Sequence, residues 1–173
     1  DKNKKIGMAK ENDTALVLHT SGTTSNPKGC PLSHNNMAHT TKAMMERWNI
    51  SKEDVFWDPL PMFHMSSILP FSACLVAKSP FISTVHFNPD ESLKVLEESK
   101  VTIAFPAFPA VMLALVNHPD FNASKLSSIR IINNVAPVDT LRSFQEALPE
   151  AKQVSAYGLT EASGVCSYGS PDD

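Results

Sequence analysis

Two short stretches hold the residues best suited to chemistry. The first is Thr20-Ser21-Gly22-Thr23-Thr24-Ser25-Asn26-Pro27-Lys28-Gly29, which crowds serines, threonines and a lysine around two glycines. Hydroxyl and backbone N–H groups donate to anionic oxygens, and Lys28 adds a mobile point charge, a combination suited to phosphate. Gly22 and Gly29 let the backbone come close to a ligand. The spacing is not that of the nucleotide-binding P-loop, which places four residues between its glycines and Lys after the second. Here six residues separate Gly22 from Gly29, and Lys28 precedes the second glycine. The other stretch is Tyr157-Gly158-Leu159-Thr160-Glu161. Its ring can stack on a purine, Gly158 permits close approach, and the Thr160 hydroxyl can donate to a phosphate. Glu161 offers the hard oxygen that Mg²⁺ takes. By composition alone the first stretch is also an ordinary surface turn. The order of its residues separates the two readings.

In that order, Ser21 to Gly29 resembles the phosphate-binding loop of the adenylate-forming enzymes: acyl-CoA synthetases, luciferases and peptide-synthetase adenylation domains. Ser25 stands where the common form has Gly. Tyr157 to Glu161 matches a second motif of the same family. The resemblance implies that Tyr157 and Gly158 flank the adenine, Thr160 touches the α-phosphate and Glu161 binds Mg²⁺. It further implies that Thr20, Ser21, Gly22, Thr23, Thr24 and Lys28 hold phosphate. Lys28, Thr160 and Glu161 are then the catalytic set. Val135-Ala136-Pro137 falls at the segment lining the adenine and acyl sites, although the chain reads Asn133-Asn134-Val135 before the Ala-Pro, where family members often have glycine. Pro59-Leu60-Pro61-Met62-Phe63-His64 is similar to the segment bordering the acyl pocket, with His64 as the acyl-pocket residue. The plain alternative for His64 is a packed core histidine.

The implied activity is ATP-dependent activation of a carboxylic acid to an acyl-adenylate, followed by transfer to CoA, with ATP, Mg²⁺ and CoA required. The acid is a fatty or other small organic acid. The wording around Leu18 to Ser25 also resembles oxalate-CoA ligase-like members, which keeps a short dicarboxylate open. Two alternatives stand beside it. A peptide-synthetase adenylation domain needs an acid to pair the substrate ammonium, and the residues up to Val76 and Ala77 offer none. A non-catalytic nucleotide-binding module conflicts with intact Lys28, Thr160 and Glu161. An α/β-hydrolase would need Gly-x-Ser-x-Gly, which is absent. The resemblance covers a central part of such an enzyme, a single α/β unit within the larger N-terminal domain. The ribose-binding Asp, the hinge and the C-terminal domain's Lys are expected beyond Asp173, so the chain alone should adenylate little.

The elements that must position these residues alternate. Ala15-Leu16-Val17-Leu18 is a continuous apolar run of strand length that empties into the loop. Ser33 is a suitable N-cap for a helix over 34–48. Strands are expected at 54–58, 81–86, 101–105, 129–133 and 153–156. Helices are expected at 63–78 (disturbed at Pro70), 90–99, 107–117 and 138–148. Strand–helix alternation of this kind predicts an α/β fold with a mostly parallel sheet covered by helices on both faces. Ligands in such sheets gather at the carboxyl ends of the strands. The loop and the segments after 58, 133 and 156 are expected there, on one edge of the sheet.

Composition narrows the partners. With 42% hydrophobic and 19% charged residues the chain is that of an ordinary globular protein. A net charge of -3 argues against nucleic-acid binding. The apolar stretch 66–77 is too short to span a bilayer. Cys30, Cys74 and Cys166 suggest neither a disulfide framework nor a zinc site, and fit a reducing, cytoplasmic compartment. Met37, Met44, Met45 and Met112 are expected in the core. His19, next to the loop, could contact nucleotide but is read as ending the strand. His34, His39, His86 and His118 have no clustered partners in the sequence and are expected as surface or capping residues, and Asp58 carries little signal of its own.

Overall fold

In the computed structural model, which describes residues 7–21 and 26–172, a five-stranded sheet carries the architecture. Its strands are β3 (Phe56–Trp57), β4 (Phe81–Ile82), β5 (Ile103–Ala107), β6 (Ile131–Asn134) and β7 (Lys152–Val154). They lie in the order β4-β3-β5-β6-β7, and every pairing is parallel. The helices are α1 (His34–Trp48), α2 (Met65–Ala77), α3 (Pro89–Glu98), α4 (Pro109–Val116) and α5 (Val138–Ala147).

Alternation along the strands builds a core on each face. Phe56, Ile103, Phe105 and Ile131 point to one side, where they pack with Met44 and Trp48 of α1 and Met65 and Leu69 of α2. Trp57, Ala104 and Ile132 point to the other, against Leu93 and Leu96 of α3, Met112 and Leu115 of α4 and Phe144 of α5. Each fully buried side chain of this size stabilises by about 1.5–3 kcal/mol. Met44 and Met112 are core, as expected, and Met37 and Met45 pack partly buried against the cluster that holds Met44.

The chain runs from β3 out to β4, then returns past β3 to β5 and continues through β6 and β7. Because right-handed crossovers in opposite directions use opposite faces, α2 lies on one side and α3, α4 and α5 on the other. The reversal falls between β3 and β5, and a crevice opens at their carboxyl ends. The helix boundaries agree closely with expectation. Ser33 caps α1 through a reciprocal pair: its hydroxyl accepts from Asn36 N–H at 3.1 Å, and its own N–H donates to Asn36 Oδ1 at 3.1 Å. α2 runs through the buried Pro70 rather than ending there.

Three expectations need correction. The segment from Lys28 to Ser33 is a strand, β2, paired antiparallel with β1 (Thr14–Thr20). Thr20 and Lys28, expected at the end of a strand of the parallel sheet, therefore belong to a separate hairpin. Cys30 and Leu32 give this strand its inward side, a signal masked in the sequence by Gly29 and Pro31. The strand expected at 81–86 pairs only over Phe81–Ile82, at the sheet edge. The strand expected at 153–156 divides: β7 ends at Val154, and β8 (Ala156–Leu159) pairs antiparallel with β9 (Gly164–Tyr168). Tyr157 and Gly158 thus lie within a strand of a separate two-stranded sheet.

Opposite the crevice, Arg130 fastens the amino ends of the strands. Its Nε donates to Asp54 Oδ1 at 2.8 Å and its Nη2 to Asp54 Oδ2 at 2.9 Å. Nη2 also donates to the Trp48 and Asn49 carbonyls at the end of α1, at 3.0 and 3.1 Å. Burial is the largest influence on Asp54 and pushes its pKa up. Hydrogen bonds from Arg130, Thr102 and the Ser51 N–H together outweigh it and leave the pKa lowered.

Candidate functional site

Two hollows lie at the carboxyl end of the sheet, and β2 of the hairpin packs beside them. One hollow is an apolar cavity of about 280 Å³. α2 supplies Met65 and Leu69, β5 supplies Phe105, β6 supplies Asn133, and β8 supplies Tyr157 and Gly158, with His64 and Thr160 also on its wall. Among the described residues, no Asp, Glu, Lys or Arg lines it.

β8 and β9 cross so closely beside this cavity that only glycine fits at 158. A Cβ there would collide with the Gly164 carbonyl oxygen and lie 2.6 Å from Val165 Cα. Gly164 has φ +108, and a Cβ on it would sit 2.9 Å from Leu69 Cδ2. The half-buried Thr160 and exposed Glu161 follow in a short helical turn (Thr160–Ala162).

Glu161 faces a second, polar hollow of about 310 Å³ that includes Asn35, Asn36, His39 and Thr40 from the first turns of α1. β2 packs against the same turn. The Cys30 thiol on β2 is raised above its ordinary pKa, by burial first and then by the Glu161 charge. Two motifs 130 residues apart in sequence are therefore neighbours. Thr20 and Lys28 face each other across the hairpin mouth, with Ser21 and Lys28 exposed. Gly22, Thr23 and Thr24 lie outside the described residues, and so does Ser25.

His64 is exposed and caps α2, which removes the core reading. Its Nδ1 accepts from the Ser66 N–H at 3.2 Å and lies 2.9 Å from Ser66 Oγ. Val135 is on the cavity wall, and Ala136 and Pro137 follow it at the start of α5. The structure also shows residues that the sequence undervalued. Asp58, at the end of β3, is fully buried. Its Oδ1 accepts from the Leu60 N–H at 2.8 Å, and Oδ2 has no partner. Burial pushes its pKa up to about 8, held there against the Leu60 N–H and the Ser67 hydroxyl, which lower it. A lone acid between Trp57 and Pro59 in an apolar run was the available signal.

His118 does have partners, contrary to expectation. Its Nε2 lies 3.1 Å from Asp90 Oδ1, and its Nδ1 accepts from the Asp120 N–H at 3.2 Å. The backbone donor on Nδ1 puts the neutral ring's proton on Nε2, so the histidine clips α3 to the end of α4.

Glu161 and Thr160 offer hard oxygens, the donor set Mg²⁺ prefers. The only cluster of three His, Cys, Asp or Glu ligands among the described residues is Asp90, His118 and Asp120, far from the motifs in the fold. An ion at Glu161 would thus rest on one protein carboxylate and on phosphate oxygens, which is how Mg²⁺ is usually held.

A hairpin, a neighbouring acid and an apolar cavity at the switch point of a parallel sheet define an α/β protein with its clefts at the carboxyl ends of the strands. The chain belongs to the AMP-binding enzyme family, whose profile matches residues 1–173. It is 33% identical over 161 residues to the 4-coumarate--CoA ligase-like 3 protein of Arabidopsis thaliana, covering 89% of this chain and 29% of that one. It is 32% identical over 164 residues to a long-chain-fatty-acid--CoA ligase of Bacillus subtilis (strain 168), covering 90% of this chain and 28% of the relative. The ATP-bound structure of MatB from Rhodopseudomonas palustris superposes with a TM-score of 0.83 at 27% identity, over 95% of this chain and 32% of that one. The chain thus spans under a third of the length of these relatives. No helix among the described residues is long and apolar enough to cross a membrane.

Proposed function

We propose that this chain carries the phosphate-binding and acyl-binding floor of an AMP-forming acid–thiol ligase acting on a monocarboxylic acid with an uncharged tail. The observation that carries the reading is the junction of β2 with the Thr160–Ala162 turn beside an apolar cavity with no Asp, Glu, Lys or Arg among its described lining residues. In this reading the acid lies in the cavity near His64. One carboxylate oxygen attacks the α-phosphorus of ATP, and pyrophosphate leaves with the electrons of the broken P–O bond. A thiol, that of CoA, then attacks the acyl carbon and AMP departs.

The residues act by charge and placement, because no covalent nucleophile on the protein is required. Lys28 and the hydroxyls of Thr20, Ser21, Thr23 and Thr24, with the Gly22 backbone, hold the departing pyrophosphate. Thr160 donates to the α-phosphate. Tyr157 and Gly158, with Ala136 and Pro137, bound the adenine. Glu161 holds Mg²⁺, which when bound neutralises charge on the phosphate oxygens. The uncharged cavity disfavours a dicarboxylate, which lacks a cation there, and an amino acid, whose ammonium lacks a carboxylate.

Acid-dependent ATP–pyrophosphate exchange on the complete polypeptide that carries this chain tests the proposal. Exchange is expected with apolar monocarboxylic acids and should fall at least about a hundredfold in Glu161→Gln, the scale of losing a charge-stabilising group. Undiminished exchange in the variant would remove Glu161 from the mechanism. No exchange with any acid would overturn the reading.

A further inference from the structure

Among the described residues, Asp58 is the buried carboxyl with an oxygen to spare, and it sits under the segment that carries His64. Its own N–H donates to the Ile82 carbonyl at 3.0 Å, which fixes it at the end of β3. The carboxyl then holds the next stretch of chain at both ends. Oδ1 accepts from the Leu60 N–H at 2.8 Å, and the hydroxyl of Ser67, wholly buried in α2, lies against the same group. That hydroxyl is also 3.1 Å from Met62 Sδ. Apart from the buried side chains of Pro59 and Leu60, little else secures the chain in between. Pro59 and Pro61 have no N–H, and among the described residues no backbone hydrogen bond ties 59–63 to another strand or helix. His64 and the start of α2, with Met65, Ser66 and Leu69, follow directly and form one wall of the cavity.

We infer that Asp58 is a positioning residue of the reaction: while protonated it pegs the 59–64 segment and keeps His64 and α2 against the cavity, and when the proton leaves, that wall loosens and the acid binds weakly. This rests on the ligase reading. The cause is the cost of a charge buried without a full set of partners. Water relieves that charge once the 59–64 segment, exposed at Met62, Phe63 and His64, lifts away from Oδ2. The groups around Asp58 offer no other relief. α2 brings the Cys74 thiol, which burial pushes up to about 11 and so keeps neutral. His64 lies on the exposed side of the segment itself. Asp54, at the other end of β3, is already taken by Arg130. β4 and β5 carry no ionisable side chain. Burial sets the Asp58 pKa at about 8, which brings the change within the range of ordinary assays.

The test follows ATP–pyrophosphate exchange on the complete polypeptide between pH 6.5 and 9, with acetate, octanoate and 3-phenylpropionate as acids. If only the pegged form binds the acid, the native KM for whichever acid is used should rise about tenfold between pH 7 and 9. In Asp58→Asn that rise should be absent, and KM for ATP should follow one course in both proteins. A native KM for the acid that stays level would overturn the inference with no variant needed. A rise that persists in Asp58→Asn would overturn it too, as would a difference between the two proteins that falls on KM for ATP. Hydrogen exchange read by mass spectrometry needs no turnover. Peptides covering 59–69 should exchange alike in the two proteins at pH 6.5 and faster in the native one at pH 9, with no difference in peptides from α3. Equal exchange at both pH values would overturn the inference. Silence with every acid would instead strike the ligase reading, and the exchange of 59–69 would still decide whether Asp58 pegs the segment.

Discussion

Asp58→Asn isolates the effect of burying one acid under the segment that carries His64. The carboxyl is fully buried, one oxygen accepts from the Leu60 N–H at 2.8 Å, and the other has no partner. Burial raises its pKa from 3.8 to about 8. A folded-state pKa above the unfolded one means that the native protein holds the proton more tightly. The stabilisation is complete below about pH 4 and drains away as pH rises towards 8. Each pH unit in that window removes up to about 1.4 kcal/mol, which makes the loss about 4 kcal/mol at pH 7. Asparagine keeps the acceptor for Leu60 and puts an NH₂ where the protonated oxygen stood, close to the Ser67 hydroxyl, with no proton to lose. Urea unfolding of the native protein and Asp58→Asn between pH 5 and 9 should give a difference that widens in favour of the variant up to about pH 8 and then levels. Other titrating groups cancel in the difference. A difference that stays constant across the range would refute the argument, because it would show that Asp58 does not titrate between the two states.

Two further substitutions probe the frame around the site. Arg130→Leu should cost about 2–4 kcal/mol at pH 7 in the same assay, the low end of a broken buried pair because part of the guanidinium is exposed. The penalty should shrink at acid pH, since Asp54 has a lowered pKa and its ionised form is the one the pair stabilises; an unchanged penalty at pH 3 would refute the pairing as its cause. Gly158→Ala should destabilise by about 2–3 kcal/mol and weaken ATP binding measured by calorimetry, because the new methyl collides with the Gly164 carbonyl and parts β8 from β9. A variant with native melting temperature would show that the crossing is looser than described.

The helices and the parallel sheet were legible because their signals are local. Ser33 and Asn36 form a capping pair within one turn, and Phe56-Trp57 or Ile103-Ala104 alternate between two cores as strands between helices must. The hairpins were hidden because their pairing is between residues whose types say little. Gly29 and Pro31 do not read as a strand until His19 and Val17 lie opposite them. Tyr157-Gly158 reads as a turn until Gly164 comes close enough to forbid a side chain at 158. The motif residues stand out by their order in the chain, whereas Asp58 is set apart by what surrounds it. Its burial and its oxygen without a partner are properties of the fold, not of any spacing.

The seat of Thr20 and Lys28 on their own hairpin, outside the five-stranded sheet, has an evolutionary consequence. Side chains that line the cavity come from α2, β5, β6 and β8, while Thr20 and Lys28 belong to β1 and β2. On the proposed ligase reading, exchanging Met65 or Leu69 reshapes the space for the acid and leaves the β1–β2 pairing as it is. On that reading, the two parts of the site can vary independently among descendants of one ancestor.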